Sequence, residues 1–171
     1  MWGKIQICSR CSGSESEGLN SLCVTPEPQV AGLPEGVVDL VAPAAAGYGG
    51  ALAAGLARAQ GAWVLTIDAD ILDVSRVVPD LWARRHEAEV VIGSRYVEGG
   101  SVEMPWWRRL GSRLLNGVFG RGLSLGVRDL SSGVRLYRRA IVDAAGPLPA
   151  GLDALQTAPV RVSAAGRRVI E

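Results

Sequence analysis

The stretch Trp63–Asp73, WVLTIDADILD, decides the fold. Its opening apolar run suits a strand buried on both faces, as in a parallel sheet covered by helices. The run ends in Asp68 and Asp70. Residues i and i+2 of a strand face the same way, so both carboxylates would point into whatever lies beyond the strand end. Like charges so placed repel unless a divalent cation, an arginine or water comes between them.

Upstream, VVDLVA (37–42) reads as a short strand, followed by the turn GYGG (47–50) and a small-residue helix to about Gln60. The glycines Gly47, Gly49 and Gly50 either offer backbone N–H groups to a nucleotide or simply allow a tight strand-to-helix turn. Downstream, Asp73 is a helix cap, and Val74, Val77, Val78, Leu81 and Trp82 recur at helical spacing as a core stripe. EVVIGSRY (89–96) is a further buried strand, Pro105 opens a helix to about Phe119, and SSGVRLYRR (131–139) is another strand. Alternating strands and helices predict an α/β domain with an open, mostly parallel sheet. Ligands of such sheets bind beyond the carboxyl ends of the strands, where Asp68, Asp70 and the segment Gly93–Tyr96 fall.

The chain has 171 residues, 48% of them hydrophobic, which is about one domain with a substantial core. A net charge of +1 argues against a strongly basic nucleic-acid binder. The uncharged run Leu40–Ala57 approaches the length of a membrane span, but Pro43 and four glycines interrupt it. The first residues lack the apolar core of a secretion signal, so a cytoplasmic location is the default expectation. Residues 1–36, rich in Ser, Glu, Gly and Pro, read as an irregular lead-in to a domain over 37–171. Cys8, Cys11 and Cys23 lie in that lead-in. Reduced thiols are a better reading than zinc ligands, because the sole histidine, His86, is far along the chain. His86 itself reads as a solvated helix residue, and Arg135, Arg138 and Arg139 as surface charges.

Four segments in order carry a resemblance: GYGGALAAGLARAQGAWVLTIDAD (47–70), VVIGSRYVEGG (90–100), PWWRRLGSRLLN (105–116) and RDLSSGVRLYRR (128–139). Together they resemble the family 2 glycosyltransferases of the GT-A fold, and within them the polyprenol-phosphate sugar transferases typified by dolichol-phosphate mannose synthase. The resemblance implies a Rossmann-like, three-layer GT-A domain that moves a hexose from a GDP- or UDP-sugar to a polyprenyl phosphate with inversion. It implies that Asp68 and Asp70 hold Mg²⁺ or Mn²⁺ against the donor diphosphate, and the backbone N–H reading of Gly47 and Gly49 puts these two on the donor side as well. It further implies that Arg95, Arg108 and Ser112 bind the acceptor phosphate, and that Asp68, Asp70 and Arg95 form the catalytic set.

Elementary chemistry agrees with that assignment. Hard divalent cations take one or two carboxylates plus phosphate oxygens. Arg108 and Ser112 stand at i and i+4, so both can reach one anion from one side of a helix. An acceptor phosphate is already an anionic nucleophile, so positioning and stabilisation of the leaving group are the main requirements. Trp107, Leu110, Leu114 and Val118 form an apolar stripe beside Arg108, Arg109 and Arg113, suited to packing on the sheet or to a membrane surface.

The chain departs from the family at both ends. Residues 1–36 lack the apolar strand ending in a P-x-Y-N-E type segment and the later acidic D-D-x-S segment, and the chain stops soon after the motif GRRVIE (166–171). It is therefore read as a shortened member, peripheral at the membrane surface, for which a protein partner could supply the missing segments. Two other readings stay open. One is a remnant that binds metal and acceptor without a competent donor pocket. The other is a dinucleotide-binding oxidoreductase in which Asp68 takes the ribose, although the third glycine of G-x-G-x-x-G then falls on Leu52.

Overall fold

The computed structural model describes residues 5–10, 20–25, 37–41, 46–68, 74–94, 127, 129–144 and 146–171. Its strands are β1 (Ile5–Arg10), β2 (Asn20–Thr25), β3 (Val37–Val41), β4 (Trp63–Asp68), β5 (Val90–Ile92), β6 (Arg135–Arg138) and β7 (Val169–Ile170). Its helices are α1 (Gly47–Arg58), α2 (Val74–Ala83), α3 (Arg139–Ala144) and α4 (Ala154–Ala164). The strands form one sheet in the order β3-β2-β1-β4-β6-β5-β7, so the stretch that ends in Asp68 lies at its centre.

The sheet is mixed, which corrects the mostly parallel arrangement expected from the sequence. β1 runs antiparallel to both β2 and β4, and β6 runs antiparallel to both β4 and β5. The β2–β3 and β5–β7 pairs are parallel. A continuous apolar run reports that a strand is covered on both faces, and says nothing of the direction of its neighbours. Residues 1–36 also contribute β1 and β2, although that stretch reads as irregular.

Along β4 the side chains alternate between two cores. Val64 joins Tyr48, Leu52 and Leu56 of α1 and Ala154 and Leu155 of α4, whereas Leu65 and Ile67 join Leu81 of α2, Val91 and Leu136. β5 and β6 divide the same way: Val90, Ile92 and Tyr137 pack with Ala158 and Val162 of α4. Helix α1 buries Tyr48, Ala51, Leu52, Gly55 and Leu56, the spacing of one helical face.

Thr66 is the polar exception inside β4, 1% exposed. Its hydroxyl donates to the carbonyl of Gly133 at 2.9 Å, which fixes the residues leading into β6 against β4. Thr66→Val keeps the shape and strands that carbonyl in the core. It is expected to cost about 1–2 kcal/mol, measured as a lower midpoint of urea unfolding with an unchanged slope.

Candidate functional site

Three backbone segments meet where β4 ends. The first is Asp68, at the C-terminus of the central strand. The second is Gly93–Ser94, just past β5. The third is the turn Leu130–Val134 that returns into β6.

The second and third segments are stitched together by hydrogen bonds. Gly93 N–H donates to the Val134 carbonyl at 2.9 Å, and the Ser132 hydroxyl donates to the Gly93 carbonyl at 2.7 Å. Ser132 Oγ also accepts the Val134 N–H at 3.2 Å, so one side chain closes its own turn and joins it to β5. Upstream, Asp129 is fully buried and its Oδ1 accepts both the N–H and the hydroxyl of Ser131, at 3.3 and 2.9 Å. This is an Asx turn, which gives the Asp129 carboxylate a part in shaping the segment. The Asp129 N–H donates to Glu171 Oε2 at 3.1 Å, which brings the GRRVIE motif to the same turn.

The first and third segments meet side chain to backbone. A Cβ at Gly133 would overlap the Asp68 carboxylate, so only glycine leaves room for Asp68 in this place. The Tyr48 hydroxyl donates to Asp68 Oδ1 at 2.9 Å. Tyr48 is itself buried, 8% exposed, in the first turn of α1. Burial holds its phenol above the ordinary tyrosine range, and the Asp68 carboxylate and the hydrogen bond between them push the same way, so the group remains a donor.

Gly47 and Gly49 lie at the start of α1, packed against the Pro149–Ala150 backbone. Gly47 takes a φ of +65°, a side chain at either position would overlap that backbone, and the Gly49 N–H donates to the Ala150 carbonyl at 2.9 Å. These two glycines thus dock α1 and place Tyr48. Of the other site residues expected from the sequence, Asp70, Arg95, Arg108 and Ser112 lie outside the described residues. So do the expected cap Asp73 and the helix beginning at Pro105.

The structure moves one arginine inside. Arg135, expected at the surface, is fully buried and donates to the carbonyls of Leu130 and Leu155 and, at 3.4 Å, to the Tyr137 hydroxyl. It ties the Leu130–Val134 turn to α4. Arg138 lies over the Trp63 ring at 5.2 Å, Arg139 pairs with Asp143 at 3.1 Å, and His86 meets the Trp63 ring edge-on at 5.8 Å. A separate cleft of about 180 Å³, lined mainly by apolar residues of α1, α3, α4 and the segment Gly146–Leu148, includes none of the expected site residues.

Among the described residues no cluster of three His, Cys, Asp or Glu side chains could hold a metal ion. Of the described residues, Asp68 is the one carboxylate at this strand end, and a cation there would add to it oxygens of a bound ligand. The donor set fits, since carboxylate and phosphate oxygens are the ligands Mg²⁺ and Mn²⁺ take.

A carboxylate facing a polar turn at the carboxyl end of the central strand stands where open α/β sheets bind their ligands. Comparison with known proteins makes the class of protein specific. Residues 28–146 match the model of the glycosyl transferase family 2, and the chain belongs to this family. The dinucleotide-binding alternative is thereby set aside. The chain is 31% identical over 98 residues to the undecaprenyl-phosphate 4-deoxy-4-formamido-L-arabinose transferase of Proteus mirabilis, covering 57% of this chain and 29% of that protein. The enzyme of the same name from Pseudomonas aeruginosa is 34% identical over 98 residues, covering 57% and 28%. The polyprenol monophosphomannose synthase of Mycolicibacterium smegmatis is 40% identical over 57 residues, covering 33% and 22%. The chain thus spans less than a third of the length of these curated relatives.

Proposed function

We propose that this chain carries the sugar-transfer site of a polyprenyl-phosphate glycosyltransferase with a three-layer, GT-A type domain. The donor is a GDP- or UDP-activated hexose, the acceptor a polyprenyl phosphate, and the transfer inverts the anomeric centre. The observation that carries this reading is the meeting of Asp68, Gly93–Ser94 and Gly133 at one strand end, within the span that matches the family. The names of the relatives, each a transferase or synthase acting with a polyprenyl or undecaprenyl lipid, favour a lipid phosphate as acceptor.

In this reading Asp68 and Asp70 hold Mg²⁺ or Mn²⁺. The cation supplies neutralisation of the charge that builds on the departing nucleoside diphosphate. Gly47 and Gly49 serve the donor side by seating α1, and with it Tyr48, against the Pro149–Ala150 backbone. Arg95, the residue after Ser94, fixes the acceptor phosphate with Arg108 and Ser112, in line with the anomeric carbon. No strong general base is needed, because the phosphate attacks as an anion. An acceptor of this kind resides in a membrane, and the Trp- and Arg-bearing segment 105–118 suits contact with its surface. Among the described residues no helix is long and apolar enough to cross a membrane.

The test is a calorimetric titration of GDP and of UDP into the purified chain, with and without Mn²⁺. Binding of one of them that Mn²⁺ strengthens supports the reading; a folded chain that binds neither, or binds them no more tightly with Mn²⁺, refutes it. Arg95→Ala separates the two substrates. It is expected to raise the KM for polyprenyl phosphate about tenfold or more, with the affinity for nucleoside diphosphate unchanged. Equal losses on both substrates would contradict this division of labour.

A further inference from the structure

We infer that Tyr48 is a positioning residue for the donor site: its hydroxyl, donating to Asp68 Oδ1 at 2.9 Å, sets the orientation in which that carboxylate meets a metal-bound nucleoside diphosphate. This rests on the donor-site reading above and adds a residue that the site set expected from the sequence does not contain.

A carboxylate at the end of a strand can turn about two side-chain bonds, and a ligand in the wrong rotamer binds poorly. Among the described residues, two neighbours restrict that freedom. Gly133 bounds the carboxylate on one side, close enough that one methyl group would displace it. The Tyr48 phenol holds its Oδ1 by a hydrogen bond of 2.9 Å.

The phenol is in turn held by packing. Tyr48 lies in the core with Leu52, Leu56, Val64 and Ala154, one residue after a glycine with φ of +65° and one before a glycine whose N–H donates to Ala150. The ring cannot withdraw without undocking α1 from the segment that leads into α4. Outer partners that orient a ligating side chain in this way commonly change metal-site affinity by ten- to a hundredfold when removed.

The experiment titrates UDP and GDP, each with and without saturating Mn²⁺, into the wild-type chain and into Tyr48→Phe, which keeps the ring and removes the hydroxyl. Thermal unfolding followed by circular dichroism serves as the control for folding. The expected result is about a tenfold loss of Mn²⁺-dependent affinity, with metal-free binding unchanged and a thermal midpoint within a few degrees of wild type.

Gly133→Ala crowds the same carboxylate and is expected to give the same selective loss. A Tyr48→Phe chain that binds the Mn²⁺–nucleotide as tightly as wild type overturns the inference, as do equal losses with and without Mn²⁺. Absence of Mn²⁺-dependent binding in the wild type overturns the donor-site reading and this role with it, and the wild-type titration alone identifies that outcome.

Discussion

Asp68→Asn is expected to weaken Mn²⁺-dependent binding of a nucleoside diphosphate by about a hundredfold or more, since removing even an outer partner of a metal ligand costs ten- to a hundredfold. The amide is nearly the same size, so it fits beside Gly133 as the carboxylate does. Its oxygen can still accept from the Tyr48 hydroxyl, so the local structure has a means of surviving the change. What is lost is the negative charge and one anionic oxygen of a donor set suited to a hard cation. The variant should therefore separate binding from stability. Calorimetry with Mn²⁺ and UDP or GDP should register the loss, and the thermal midpoint should stay close to wild type. A fall in stability with affinity retained would place Asp68 among the structural residues of β4.

Gly49→Ala is expected to give the opposite pattern, dominated by stability. The new methyl group would overlap the Pro149 carbonyl and approach Ala154 Cβ to 2.8 Å. Relief requires α1 to move away from the segment before α4, which opens the core formed by Tyr48, Ala51, Leu52, Val64, Ala154 and Leu155. It also lengthens the hydrogen bond from the Gly49 N–H to Ala150. Overpacking against backbone, with no flexible side chain to yield, costs about 3 kcal/mol. For a chain of this size that lowers the thermal midpoint by about 6–12 °C. Because Tyr48 moves with α1, Mn²⁺-dependent binding should fall as well. A Gly49→Ala chain that melts like wild type would show that α1 and the Pro149–Ala150 backbone are not held together as described.

The elements around WVLTIDADILD were legible because each carried a strong local signal. An uncharged apolar run marked β4, helical spacing of Tyr48, Leu52 and Leu56 fits α1, and polar residues directly after short apolar runs marked the end of the sheet where the site lies. β1 and β2 were not legible, because IQICSR and NSLCVT are brief alternations among Ser, Gly and Glu, too short to rise above their surroundings. Strand direction was not legible either, since burial on both faces looks the same for parallel and antiparallel neighbours.

The candidate site divides in the same way. Asp68 and the turn containing Gly133 stood out as motifs, and the structure brings them together. The support around them was hidden in long-range pairs: Tyr48 with Asp68, 20 residues apart, and Asp129 with Glu171, 42 residues apart. Arg135 reads in sequence as one of several basic residues in VRLYRR. Its inward face follows from the alternation of β6, and its acceptors are carbonyls of Leu130 and Leu155, which leave no mark in a sequence. Tyr48 could have been noticed as the one polar aromatic within a run of glycine and alanine, at a position that α1 turns toward β4.

The most direct measurement is transfer itself: radiolabelled sugar from GDP- and UDP-hexoses presented to the chain with undecaprenyl phosphate in detergent or vesicles, with Mn²⁺ or Mg²⁺. Label passing into the organic phase, dependent on the lipid phosphate and abolished by chelating the metal, is the predicted result. A folded chain that binds a nucleoside diphosphate with Mn²⁺ yet moves no sugar to the lipid from any of these donors would contradict the account.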